Sequence, residues 1–150
     1  MSDTITGVVD DTVAELNATT FSQAFTASKR YLPITERSGL SSLVVSVAPG
    51  PVEISQANRR ENNHDVRVDI LVQRQADPDD NAEMDSLVAL SEEIARHLTP
   101  HADASFPIDG VIWQETQHDP LYLPSHLREL RIFTSVIRYT ARLIEPGGTL

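Results

Sequence analysis

Asp77-Pro78-Asp79-Asp80-Asn81-Ala82-Glu83-Met84-Asp85-Ser86-Leu87-Val88-Ala89-Leu90-Ser91-Glu92-Glu93-Ile94-Ala95-Arg96-His97-Leu98 is the stretch on which the fold turns. Met84, Leu87, Val88, Ser91, Ile94, Ala95 and Leu98 recur at i, i+3 and i+4, the spacing that puts side chains on one side of a helix. Asp77 is a candidate cap for the exposed N–H groups, and Pro78 suits a first helical position. The carboxylates that follow suit the positive end of the dipole. Thr99-Pro100 ends the element, because a residue before proline is pushed out of helical torsions. One long central helix over roughly Asp79 to Leu98 is therefore expected, with an apolar stripe that needs a surface to cover.

The surface is supplied by strands on either side. Upstream, Val66, Val68, Ile70 and Val72 alternate with Arg67, Asp69, Leu71 and Gln73, a period of two with one face on the core. Leu43 to Ala48 and Val52 to Gln56 read as two adjacent strands separated by Pro49-Gly50-Pro51. Asn58-Arg59-Arg60-Glu61-Asn62-Asn63 reads as a polar loop. Downstream, Val111-Ile112-Trp113 suggests a short strand, with Trp113 in the core or covering a sheet edge. Asp119-Pro120 through Pro124-Ser125 suggests a turn, with a single helical turn over Ser125 to Glu129. Arg131 to Ile144 alternates as a long strand, with Phe133, Ile137, Tyr139, Ala141 and Leu143 on one face. Pro146-Gly147-Gly148 reads as a frayed end, so that about 145–150 forms a flexible tail.

Nearer the N-terminus, Ile5, Val9, Val13 and Leu16 predict an amphipathic helix over roughly Thr6 to Asn17, with Asp10 and Asp11 near its start. Phe21, Phe25, Ala27 and Tyr31 on odd positions predict an extended segment ending at Pro33. Strands lie around the helix without regular βαβ alternation. The expected class is therefore α+β: a mostly antiparallel sheet with an N-terminal helix and a long central helix on one face.

Composition bounds what such a domain does. At 150 residues and 40% hydrophobic, with no linker-like stretch, a single domain over residues 1–150 is expected. A chain of this length buries roughly 68–70% of its unfolded surface and folds without disulfide or metal. The absence of cysteine removes thiol nucleophiles, iron–sulfur clusters and Cys-ligated zinc. The first residues show no basic segment followed by an apolar run, and no run of about 18 apolar residues occurs, so a soluble chain without membrane contact is expected. Twenty-two acidic against twelve basic residues give a formal charge of −10, which repels phosphate and disfavours sequence-independent nucleic-acid binding. The basic side comprises eleven Arg and the single Lys29, a bias toward side chains that grip carboxylates bidentately.

Catalytic and metal constellations are weak. His97 and His101 have metal-like spacing, but Pro100 lies between them and no Glu follows His97 as in a zinc protease. His64-Asp65 and His118-Asp119 could each supply a base and an orienting carboxylate. The serines weighed with them, Ser41, Ser42 and Ser125, lie in no Gly-x-Ser-x-Gly elbow. Asp65, Asp69, Asp79, Asp80, Glu83 and Asp85 invite a divalent-cation reading, although Asp69 shares a strand's polar face with Arg67 and the acids at the helix start match dipole and solvent roles. Pro49-Gly50-Pro51 offers too few N–H groups for a phosphate loop. The residues alone lead to no cofactor and no metal.

Four stretches carry a likeness to a known group: Val13-Ala14-Glu15-Leu16-Asn17 leading to Phe21-Ser22-Gln23; Lys29-Arg30-Tyr31-Leu32-Pro33; His64-Asp65-Val66-Arg67-Val68-Asp69-Ile70-Leu71-Val72-Gln73; and Asp119-Pro120-Leu121-Tyr122 with His126-Leu127-Arg128-Glu129-Leu130-Arg131. The last runs into Phe133-Thr134-Ser135-Val136. In these the chain resembles the tail-terminator, or tail-completion, proteins of long-tailed phages, encoded among the head–tail joining genes. The resemblance implies a non-enzymatic, structural virion protein, assembled in the host bacterial cytoplasm, that forms a homo-oligomeric ring, commonly a hexamer, on the completed tail tube. Its partners would be the tail tube protein and the head-closure or connector proteins, with DNA passing through the channel unbound. Alternatives are a head-closure or adaptor neck protein of different ring symmetry, or a small cytoplasmic enzyme or ligand-binding domain. The resemblance carries no site motif. For the interface, the loop Asn58 to Asn63 offers the forks of Arg59 and Arg60, and the segment Asp119 to Leu123 offers Leu121 and Tyr122 as apolar anchors beside a proline.

Overall fold

The alternating run around Val66 to Gln73 becomes the spine of the sheet in the computed structural model, which describes residues 4–101 and 105–146. In chain order the elements are α1 (Ile5–Ala18), β1 (Ala27–Lys29), β2 (Val44–Gln56), β3 (Glu61–Gln75), α2 (Asn81–His97), β4 (Ile112–His118) and β5 (Ile132–Pro146). The strands form one five-stranded sheet in the order β1-β2-β3-β5-β4, antiparallel throughout except for the parallel pair β1–β2. The class is α+β, as the alternation of strands around helices implies. No helix among the described residues is long and apolar enough to cross a membrane.

Period-two patterning fixes the two faces. Val66, Val68, Ile70 and Val72 of β3 and Ile137, Tyr139 and Ala141 of β5 are buried in one cluster with Val8, Val9 and Leu16 of α1 and Leu87, Leu90 and Ile94 of α2. Both helices thus bury their stripes against the same face of the sheet. At about 1.5–3 kcal/mol for each fully buried aliphatic side chain, this cluster is the main source of stability. The 17 residues of α2 compare with 14 in α1, so two helices of similar length share the layer and no single central helix dominates it.

The helix starts differ from the expected ones in chemically simple ways. Asp80, not Asp77, caps α2, its carboxylate accepting from the Glu83 N–H. Asp77 instead accepts from the Asp79 N–H two residues on, which holds the Pro78 turn outside the helix. In α1 the cap is Thr4, whose hydroxyl accepts from the Gly7 N–H at 3.0 Å, while Asp10 lies beyond the first turn and pairs with Lys29 at 3.0 Å.

Four strand expectations are corrected. Between Phe21 and Tyr31 only Ala27–Lys29 is strand. The phenyl rings of Phe21 and Phe25 stack with centroids 5.5 Å apart, and the Ser22 N–H and hydroxyl both bind Glu93, so tertiary anchors override the alternation. The segments on either side of Pro49-Gly50-Pro51 form one strand, β2, with a bulge between Pro49 and Val52. Prolines are tolerated there because β1 ends opposite Val47, leaving β2 an edge from Ala48 onward. Gly50 suits the bulge, where a Cβ would lie 3.2 Å from that of Arg67, tighter than ordinary contact.

The loop expected over Asn58 to Asn63 is a shorter turn, and Glu61, Asn62 and Asn63 belong to β3. Asn58 explains the tightness: its Oδ1 accepts from the Arg60 N–H at 2.8 Å and its Nδ2 donates to Glu61. The short strand expected at Val111 to Trp113 runs instead from Ile112 to His118, and half-buried Trp113 covers the sheet edge, its Nε1 donating to the Thr116 hydroxyl at 2.8 Å. The helical turn expected at Ser125 is a single π turn over His126–Leu130, after which Arg131 enters the left-handed region at φ 55°. Strand β5 continues to Pro146, so the expected tail does not begin at 145; residues 147–150 lie outside the described ones.

Candidate functional site

The sheet face turned away from the helices carries the exposed chemistry. Odd-numbered β3 residues meet β5 there in register, Asp65 opposite Arg142 and Asp69 opposite Arg138. Each pair is a two-bond fork: Arg142 Nε and Nη2 donate to Asp65 at 2.8 and 3.2 Å, and Arg138 Nε and Nη2 donate to Asp69 at 2.5 and 3.0 Å. Hydrogen bonds from Arg142 hold the Asp65 carboxyl below the usual carboxylate range, against the opposing effect of burial. Arg67 reaches Glu53 of β2 at 3.6 Å and the Pro51 carbonyl at 3.4 Å. Of the acids that suggested a cation site, Asp65 and Asp69 are thus spent on cross-strand pairs and Asp80 on the cap of α2. Among the described residues no group of three or more His, Cys, Asp or Glu is placed to hold a metal ion.

A groove of about 510 Å³ opens on this face. Its floor includes Leu71, Val136 and the Asp69–Arg138 fork; one wall carries Tyr31 and Pro33, the other Pro120 and Leu123. Both walls are fixed by backbone contacts. The Gln73 amide binds both the N–H and the carbonyl of Ile34, and Pro120 O and the Leu123 N–H pair with Val136 and Thr134 of β5. Gln73 also donates to the Thr134 hydroxyl, and His126 Nδ1 lies 2.8 Å from the same oxygen, which locks the second wall to the sheet.

At the other end of the sheet, β2 and β3 project as a hairpin with the end of β5 beside them. Every residue from Glu53 to Arg60 is exposed, including Ile54 at 62%, and Ile144 of β5 is 48% exposed on the opposite face. Arg59 and Arg60 sit in the turn at the tip, and neither has an ion-pair partner among the described residues. Leu121 and Tyr122, 40% and 42% exposed, lie beside the groove wall. The expected interface residues therefore do not form one patch. Eight to ten residue steps along β3 separate the tip at Glu61 from the groove floor at Asp69 and Leu71, roughly 26–33 Å. Tyr31, Leu32, Ile54 and Ile144 were not foreseen as exposed. Tyr31 and Ile54 fall in segments read as extended, and nothing in the spacing sets their exposure.

The histidines hold structural partners. His97 at the end of α2 lies 2.7 Å from Glu15 of α1 and edge-on to Phe21, joining the two helices, while His101 is exposed. His118 bonds not to an orienting Asp119 but to the Ser135 hydroxyl at 2.7 Å. That contact has the form of a base and a nucleophile, yet Ser135 is fully buried and out of reach of any substrate. Burial also pushes the His118 pKa down.

Together these features define an α+β domain with one helical layer, whose exposed chemistry lies in a grooved sheet face and a projecting hairpin with two arginines in its turn. No protein-family model matches the chain, and no curated protein matches it either.

Proposed function

We propose that this chain is a non-enzymatic virion protein that forms a ring on the head-proximal end of a phage tail tube, ending tube growth and joining tail to head. The resemblance in the four quoted stretches motivates the reading. The structural observation that carries it is the hairpin, which exposes Ile54 beside Ile144 of β5 and holds at its tip Arg59 and Arg60, exposed and without an ion-pair partner among the described residues. Exposed apolar side chains beside free guanidinium groups suit contact with another protein. Subunits that use one patch to grip a different patch on the next copy close into a ring when the rotation permits. Arg59, Arg60, Leu121 and Tyr122 contribute to those contacts. The net charge of −10 limits adhesion of passing DNA.

The groove supports a second reading, a small ligand-binding domain, because its volume lies in the range of ligand sites. Images of the purified protein separate the two. Closed rings that cap tail tubes support the terminator role, and rings that bind connector in preference to tube assign the chain to the head-closure side. A monomer at every concentration overturns the assembly reading.

A further inference from the structure

We infer that the hairpin tip of one copy docks in the sheet-face groove of the next, so that the subunit contact is head-to-tail. The inference rests on the proposed assembly and names its two surfaces. Charge complementarity selects the occupant. The groove is lined by two carboxylates, Asp69 and Asp119, and one guanidinium, Arg138, which sum to one negative charge. Asp69 and Arg138 neutralise each other, leaving exposed Asp119 as the groove's unpaired charge among the described residues. The tip offers the opposite sign: Arg59 and Arg60 set against Glu61 leave one positive charge.

The apolar parts match as well. Tyr31 and Leu32, 64% and 77% exposed on one side of the groove, and Leu121 and Tyr122 on the other, present uncovered surface to the flanks of an entering hairpin, where Ile54 and Ile144 lie. A subunit cannot fill its own groove. Tip and floor share the continuous strand β3 and are held roughly 26–33 Å apart, so a tip that enters the groove comes from a second copy. A two-fold contact of tip on tip would bring four guanidinium groups together, which like-charge repulsion opposes. The tip-to-groove arrangement is heterologous, the kind that generates rings.

A charge-exchange experiment on the full chain tests this, with mass read by light scattering and folding by circular dichroism. The Arg59→Glu/Arg60→Glu variant and the Asp119→Arg variant should each raise the concentration needed for assembly by roughly tenfold or more. An equimolar mixture of the two should recover the wild-type mass, because acidic tips then meet basic grooves and basic tips meet acidic grooves. Tyr31→Ala tests the groove independently should Asp119→Arg fail to fold, and it should weaken assembly in the same direction. Wild-type assembly in all of these variants, or a mixture that shows no recovery, overturns the docking inference and leaves the ring reading standing. A wild-type chain that never assembles overturns both.

Discussion

Asp69 and Arg138 face each other across β3 and β5, the guanidinium donating from Nε and Nη2 to the two carboxylate oxygens at 2.5 and 3.0 Å. The fork cancels the charges on the groove floor, so the sign of the groove is set by Asp119 on its wall. Position in the register, and not proximity in sequence, makes this possible, since 69 residues separate the partners.

Removing that cancellation should act on assembly more than on folding. Asp69→Asn leaves Arg138 charged and takes the groove from one negative charge to none. Stability should fall by only about 1 kcal/mol, because the pair is partly solvated. The concentration for assembly should rise clearly. Urea unfolding and light scattering on the same samples separate these effects, and unchanged assembly would remove the floor charges from the contact.

The hairpin tip should be dispensable for folding. Arg59 and Arg60 are exposed and have no ion-pair partner among the described residues, so Arg59→Glu/Arg60→Glu should change unfolding free energy by no more than about 0.5 kcal/mol while weakening assembly. A large loss of stability would mean that the turn contributes to the fold and would spoil the variant as an interface probe.

Inside the core, Tyr139 and Thr12 form a directional pair. The Thr12 hydroxyl donates to the Val8 carbonyl at 2.7 Å, so the Tyr139 hydroxyl, 2.5 Å away, donates to Thr12. Burial pushes the Tyr139 pKa far above its usual value. Thr12→Val strands a buried donor and should cost about 1–3 kcal/mol, whereas Tyr139→Phe leaves only a spare lone pair and should cost less. Denaturant midpoints of the two variants check the order; the reverse order would mean that Tyr139 accepts.

Stability should also depend on pH in two windows. The folded-state pKa of His118 lies below its unfolded value of 6.5, so the unfolded chain binds the proton more readily. Its contribution is complete above pH 6.5 and is lost as pH falls toward the depressed value. Asp65, with a folded pKa below 3.8, contributes fully above that value and loses its contribution as pH falls further. Melting curves should show His118→Gln flattening the upper window and Asp65→Asn the lower. A His118→Gln variant with the wild-type slope between pH 7 and 5 would exclude His118 as the source.

Much of the fold was legible because period and burial agree. Val66 to Val72, the odd positions from Phe133 to Leu143, and the stripe of α2 each lie on the face their spacing implies. Edges and ends were less legible. The prolines around Gly50 read as a break, but at a sheet edge they cost no ladder bonds and the strand passes through as a bulge. Phe21 and Phe25 alternate like strand residues, yet they stack on each other beside His97, a tertiary contact with no local signal. Of the candidate site, Arg59, Arg60, Leu121 and Tyr122 could be named from residue type and turn chemistry. Their separation along β3, and the place of Tyr31 on the groove wall, depend on how the strands and loops come together in the folded sheet, which no periodicity encodes.

Imaging of the purified wild-type chain, with its mass measured at the same concentration, tests the central claim most directly. The account predicts closed rings of uniform symmetry whose mass is a whole multiple of the 16.6 kDa subunit. Particles that remain at 16.6 kDa at every concentration, with no closed rings, would contradict it.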